Sequence, residues 1–188
     1  MNFPEIETER LQLTAIKSSD ATSMFELFSD DSVTKYYDLA KFSDISQAIE
    51  LIKLFRSRFE SNLGIRWAIR LKENEKLIGT CGFNSWSPKM KNAVIGYDLH
   101  PKYWHYGYAQ ESVRAIIEAA FSGVLPCGSL HRIQADAVPG NEASENLLVN
   151  LGFQEEGLRR DCGYWKDSYH SLKCFGLLKN EYAQNKAN

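Results

Sequence analysis

The 188-residue chain has no two cysteines in C-x-x-C spacing; Cys81, Cys127, Cys162 and Cys174 lie scattered. That argues against a zinc knuckle or a dithiol redox pair. Single thiols of this kind fit a reduced cytoplasm, where they act mostly as small hydrophobes. No apolar run approaches the roughly 20 residues that a bilayer requires. The opening M-N-F-P-E-I-E-T-E-R is charged and lacks the apolar region of a secretion signal. A cytoplasmic protein without a membrane partner is therefore expected. The net charge of -2 supplies no overall pull toward nucleic acid. Repeats, low-complexity tracts and long linkers are missing. So are G-x-x-x-x-G-K-[ST] and G-x-G-x-x-G, which leaves P-loop and Rossmann readings without support. No spacing suggests a metal site.

What is present is ordinary globular chemistry: 44% hydrophobic and 24% charged residues. One domain spanning 1–188 is the simplest organisation. Ile6 to Ile16 reads as a first strand, with Leu11 and Leu13 alternating against polar neighbours. Ser19 or Asp20 caps a helix whose Ala21, Met24, Phe25 and Phe28 share a face. Asp44 with Gln47 resembles a capping box, opening a second helix with Ile45, Ala48, Ile49, Ile52, Phe55 and Phe59 as its apolar stripe. Three strands follow, through Trp67–Leu71, Lys76–Phe83 and Asn92–Leu99, as an antiparallel meander. A helix from about Ala109 to Ser122 carries Val113, Ile116, Ile117, Ala120 and Phe121, with Gly123 as its cap. Arg132 to Val138 is a strand, Asn141 or Glu142 starts a short helix, and strands near Phe153–Arg159 and Leu172–Leu178 finish the pattern. The order predicts an α+β, mixed α/β sheet of about seven mostly antiparallel, twisted strands with helices on both faces. The segment from Asn92 to Val138 should form a right-handed parallel crossover.

Two places invite chemistry. Gly107 sits in the turn before the long helix, where unpaired N–H groups and the positive dipole end favour an anion. Successive N–H groups from His105 through Tyr106, Gly107, Tyr108 and Ala109 to Gln110 can point into one concavity, a nest for two phosphates. A plain tight turn explains the glycine equally well. The second place is Asn141-Glu142-Ala143-Ser144. The Asn141 amide can donate and accept, which suits an amide-bearing ligand, or it can simply cap the helix. Ser144, one turn on, is a second contact or a plain first-turn serine.

W-H-Y-G-Y-A (Trp104 to Ala109) matches the later positions of the Q/R-x-x-G-x-G/A signature, and N-E-A-S with L-G-F matches the segment that follows it. The chain thereby resembles the GNAT acetyltransferase superfamily. E-T-E-R-L-Q-L (Glu7 to Leu13), D-D-S-V-T-K-Y (Asp30 to Tyr36) and I-G-Y (Ile95 to Tyr97) resemble the ribosomal-protein N-terminal acetyltransferase branch, the RimJ/RimL group. The resemblance implies a GNAT-like fold with two splayed parallel strands, ending near Leu99 and Val138. It implies acetyl-CoA as cosubstrate and no metal. His105 to Gln110 would hold the pyrophosphate by backbone. The edge Tyr97, Asp98, Leu99 would pair with the pantetheine amides. Asn141 would bond the pantetheine arm, and Ser144 would stand near the thioester sulfur or the phosphates.

The chain departs from the pattern at several points. Trp104, His105 and Tyr106 leave the loop without its usual basic residue, for which Lys102 is a substitute. Leu148 stands where many members carry a tyrosine acid. The branch's glutamate base would fall near Cys162-Gly163. The resemblance implies Ser144 as acid. For the base, the chain itself offers Asp98 on the central strand, Asp161 near the acceptor end, or His170, which reads more readily as a packing residue; a relayed water is the alternative. Tyr164 and Trp165 shape an acceptor pocket or cover the sheet edge. The expected activity is acetyl transfer from acetyl-CoA to a primary amine, at a protein or peptide N-terminus or on a small molecule. The alternative is an acyl-CoA-binding module without turnover. The oligomeric state, a homodimer included, stays open.

Overall fold

The computed structural model describes residues 2–187. Eight strands form one sheet in the order β1-β2-β3-β4-β5-β6-β8-β7. The expected first strand is a hairpin instead: β1 (Ile6–Glu7) and β2 (Leu11–Ala15) pair antiparallel. The turn between them is closed by Thr8, whose N–H donates to the Leu11 carbonyl and whose Oγ1 accepts the Leu11 N–H at 3.0 Å. This hairpin brings the sheet to eight strands rather than seven. β3 (Ile65–Leu71), β4 (Leu77–Ser87) and β5 (Asn92–Leu99) continue the predicted antiparallel meander.

Helices α1 (Ala21–Phe28), α2 (Asp31–Thr34) and α3 (Ile45–Glu60) cover one face. The capping box at the start of α3 forms: the Asp44 carboxylate accepts the Ser46 N–H, and Gln47 accepts the N–H of Asp44. The inward stripe of α3 is rotated from the expected one. Ala48, Leu51 and Ile52 are buried, while Ile45 and Ile49 are exposed. Leu51 lies about 160° round the wheel from Ile49, and packing against Met24, Leu27 and Phe28 of α1 selects it.

On the other face, α4 (Tyr108–Ser122) buries Val113, Ile116, Ile117 and Ala120 against Leu13, Trp67, Ile69 and Ile95. Each such aliphatic side chain contributes about 1.5–3 kcal/mol by leaving water. β3 serves both faces: Trp67 and Ile69 join the α4 core while Ala68 joins the α3 core, the period-2 alternation of a doubly covered strand. α4 crosses to β6 (Arg132–Ala137), which runs parallel to β5. Next come α5 (Glu142–Asn150), β7 (Gln154–Trp165) and β8 (Ser168–Leu178).

The two late strands are longer than expected and form one ribbon. β6 pairs with β8 only from Lys173 to Leu178, so residues 159–172 extend as a two-stranded arm. Its turn is Lys166-Asp167, with φ of 50° and 57°, and Lys166 Nζ donates to the Thr34 carbonyl at 2.6 Å. The chain then continues into α6 (Lys179–Ala187), a helix absent from the sequence-based expectation. Its polar composition gives no apolar stripe; it is docked by Tyr182 packing on Phe121.

Candidate active site

The site begins where two strands separate. β5 and β6 pair over Asn92–Val94 and Arg132–Gln134 only. Beyond Val94, β5 stays bonded to β4 as far as Leu99, and β6 stays bonded to β8 as far as Ala137. One cause is visible in β4. Its register with β5 slips between Phe83 and Ser85, opposite Ile95 and Val94. An extra residue, Asn84, thus bulges where the parallel pairing ends, and a bulge bends its strand and increases the local twist. The free edge of β5 is Ile95 to Leu99, which contains the predicted Tyr97, Asp98 and Leu99.

The turn after β5 lies at the end of that edge. Pro101–Tyr103 forms a single 3-10 turn, and Trp104 Nε1 donates to the Leu99 carbonyl at 2.7 Å. The loop itself therefore engages the Leu99 end of the edge. His105 and Gly107 have positive φ, 66° and 80°, with Tyr106 between them outside that region. Such alternation of sign turns successive N–H groups to one side. Among the described residues, no protein acceptor takes the N–H groups of His105 to Gln110. The first backbone bond of the helix is Glu111 N–H to the Gly107 carbonyl, 3.0 Å. All six predicted loop residues are thus brought into one bare-amide turn at the N-terminus of α4.

Asn141 and Ser144 open α5. Asn141 is its N-cap, and Oδ1 accepts a long bond from the Ser144 N–H, 3.4 Å. Its amide Nδ2 has no protein partner among the described residues. Ser144 Oγ lies 2.7 Å from the Tyr97 hydroxyl, so the two sides of the splayed strands meet there. Burial pushes the Tyr97 phenol up to about 12, and its bond to Ser144 pulls the other way. This dyad was missed in the sequence, although strand alternation puts Tyr97 on the same face as Ile95 and Leu99, the face on which α4 packs. Leu148, in the place of the usual tyrosine, is fully buried in the core.

The other predicted catalytic residues lie apart. Asp98 faces the α1–α3 side, where side-chain burial is complete to within 2%. Its Oδ2 takes bonds from the Arg66 guanidinium, the Thr80 hydroxyl (3.0 Å) and the Tyr37 hydroxyl (3.4 Å). Burial pushes the carboxyl up, and the Arg66 charge and these donors oppose it. Arg66 also reaches Asn84 Oδ1, 3.1 Å, so the ion pair is tied to the bulge. Gly96 leaves the room: a Cβ there would sit 2.8 Å from Arg66 Nη1. Asp161 is exposed in the outer arm, bonded to Ser171, 3.0 Å from its N–H to Ser171 Oγ. His170 stacks on Trp165 at 4.0 Å and 7°, and Tyr164 packs edge-on to Tyr169. These aromatics pack on one another within the arm. No group of three or more metal-binding side chains occurs among the described residues, nor a helix long and apolar enough to cross a membrane.

The profile of the acetyltransferase (GNAT) domain family matches residues 10–154. The chain belongs to the GNAT acetyltransferase family. Two relatives span nearly all of it. The uncharacterized N-acetyltransferase YoaA of Bacillus subtilis is 37% identical over 94% of this chain and 98% of its own. The uncharacterized N-acetyltransferase p20 of Bacillus licheniformis is 39% identical over 94% of this chain and 97% of its own. Among solved structures, RimL, a ribosomal L7/L12 α-N-protein acetyltransferase in complex with coenzyme A, superposes with a TM-score of 0.82 at 18% identity, covering 93% of this chain and 98% of that one. This GNAT protein is thus an acetyl-CoA-dependent N-acetyltransferase, and its fold is the mixed sheet expected.

Proposed function

We propose that this GNAT enzyme acetylates the α-amine of a peptide or protein N-terminus, and that the donor lies along the free β5 edge with its diphosphate on the 105–110 turn. The observation that supports this reading is the run of six unbonded amides at the start of α4, continuous with the unpaired edge of β5. RimL, which shares the fold, acts on a ribosomal-protein N-terminus.

In the reaction the amine nitrogen attacks the thioester carbonyl, the C–S bond breaks, and its electron pair passes to sulfur. Ser144 Oγ–H, held in position by the Tyr97 hydroxyl at 2.7 Å, supplies a proton to that thiolate and recovers one from water. Asp98 is committed to Arg66 and Asp161 to Ser171, so neither is given the role of base. The amine therefore reacts in its neutral form and its surplus proton goes to water. This choice has a consequence for the acceptor. A peptide α-amine titrates near 7.7–8.0 and a lysine near 10.4, so at neutral pH the reactive fraction differs by about 200–500-fold.

The test is release of free CoA thiol from acetyl-CoA with two peptides of one sequence, one with a free N-terminus and the other N-terminally blocked but carrying a lysine. Turnover is expected with the first and not the second, and kcat/KM should rise with pH and level off near pH 8. A preference for the lysine peptide would reject the assignment, and no thiol release from any amine would point to a binding module. Ser144→Ala is expected to lower kcat by about a hundredfold, the scale of one general acid, with little change in the KM for acetyl-CoA. An unchanged kcat would remove Ser144 from the chemistry.

A further inference from the structure

The E-T-E-R-L segment, Glu7 to Leu11, forms the turn of the β1–β2 hairpin. The structure puts it directly behind the loop. Arg10 Nε donates to Glu111 Oε2 at 2.7 Å, its Nη2 pairs with the same oxygen at 2.7 Å, and its backbone N–H donates to Oε1 at 2.9 Å. Thr8 Oγ1 donates to Oε1 as well, 2.5 Å. The remaining arm, Nη1, donates to the Tyr106 carbonyl at 2.9 Å. The guanidinium lies over the Tyr108 ring, 4.5 Å from its centre. Its Nη2 also lies 3.5 Å from the point where a Cβ on Gly107 would stand.

These contacts have two effects on the turn. In a planar trans peptide the C=O and the next N–H point in opposite directions. Arg10 holds the Tyr106 carbonyl, so the Gly107 N–H is directed away from Arg10, toward the open side. The second effect is electrostatic. Glu111 sits in the first turn of α4, where a carboxylate suits the helix dipole but repels an anionic ligand placed at the same end. Arg10 and Thr8 draw that carboxylate behind the loop, and Arg10 cancels its charge.

We propose that Arg10 is the positioning cation of the diphosphate site: delivered from the β1–β2 hairpin, it orients the loop amides and neutralises Glu111, replacing the basic residue that W-H-Y-G-Y-A lacks. The proposal rests on the loop being the diphosphate site. Arg10 acts from behind the backbone and does not touch the donor.

The test compares coenzyme A with pantetheine, which lacks the diphosphate and nucleotide. By calorimetry, and by displacement of coenzyme A for the weaker ligand, Arg10→Ala should weaken coenzyme A binding at least tenfold and change pantetheine affinity less than twofold. Arg10→Lys keeps a charge but loses the fork, and should fall between Arg10→Ala and the native protein; it also carries the test if Arg10→Ala does not fold. Equal losses for the two ligands would mean a general structural role and would overturn the proposal, as would no loss for either. Failure of the underlying loop assignment has its own signature. The native protein would then bind coenzyme A no more tightly than pantetheine, before any substitution is made.

Discussion

Gly107→Val is expected to abolish measurable coenzyme A binding. Gly107 holds φ 80°, a left-handed conformation that costs a side-chain-bearing residue about 1–2 kcal/mol and a β-branched one more. The added Cβ would lie 3.5 Å from Arg10 Nη2, so its methyl groups press on the clamp behind the loop. The chain relieves both by rotating the 106–107 peptide, and that turns the central amide of the nest outward. Calorimetry should show an affinity loss beyond a hundredfold, with a melting temperature lower by only a few degrees, because Gly107 itself is exposed. Retained affinity at normal stability would refute the diphosphate site.

Asp98→Ala is expected to have the largest effect on stability. The residue leaves the Arg66 guanidinium enclosed between β3 and α3, its main anionic partner gone, with only Thr80 and Asn84 to accept from it. Breaking a buried pair from one side costs about 3–5 kcal/mol, against a total of about 5–15 kcal/mol for a typical domain. Urea denaturation at neutral pH measures the loss directly. Replacing Arg66 by methionine in the same chain should recover much of it, since the penalty belongs to the stranded charge. A loss below about 1 kcal/mol would show that water reaches the pair. A stable Asp98→Asn protein with sharply reduced kcat would return Asp98 to the role of base.

Local pattern carried some of this fold and not the rest. β5 is found at its predicted limits, Asn92–Leu99, because alternation and flanking turn residues act within a few positions. The same holds for α4, bounded by Gly107 and Gly123, both left-handed. The rotation of α3 was not legible, since Leu51 and Ile49 are equally apolar and only the position of α1 chooses between them. The division of the first strand turned on one hydroxyl, Thr8. In the site, the bare turn and the Asn141 cap follow from short motifs. The Arg10–Glu111 contact spans 101 residues, beyond any periodic signal. Arg66 did leave a trace: a charged residue inside the apolar run I-R-W-A-I-R-L requires an opposite charge nearby. Asp98 on β5 answers it, through β4, by an address that pairing register alone supplies.

The bulge at Asn84 means that the proposed donor groove is a seam kept open in the sheet itself. Backbone groups that would otherwise satisfy one another face each other across a gap, so the empty protein holds an interior edge resembling the exposed rim of a strand. Under the proposed donor placement, a pantothenyl chain laid there would complete the ladder, serving as substrate and as a temporary ninth strand. Since acetyl transfer removes only the acyl group, the spent carrier placed this way would keep the same mend, and its departure would reopen the seam at every turnover.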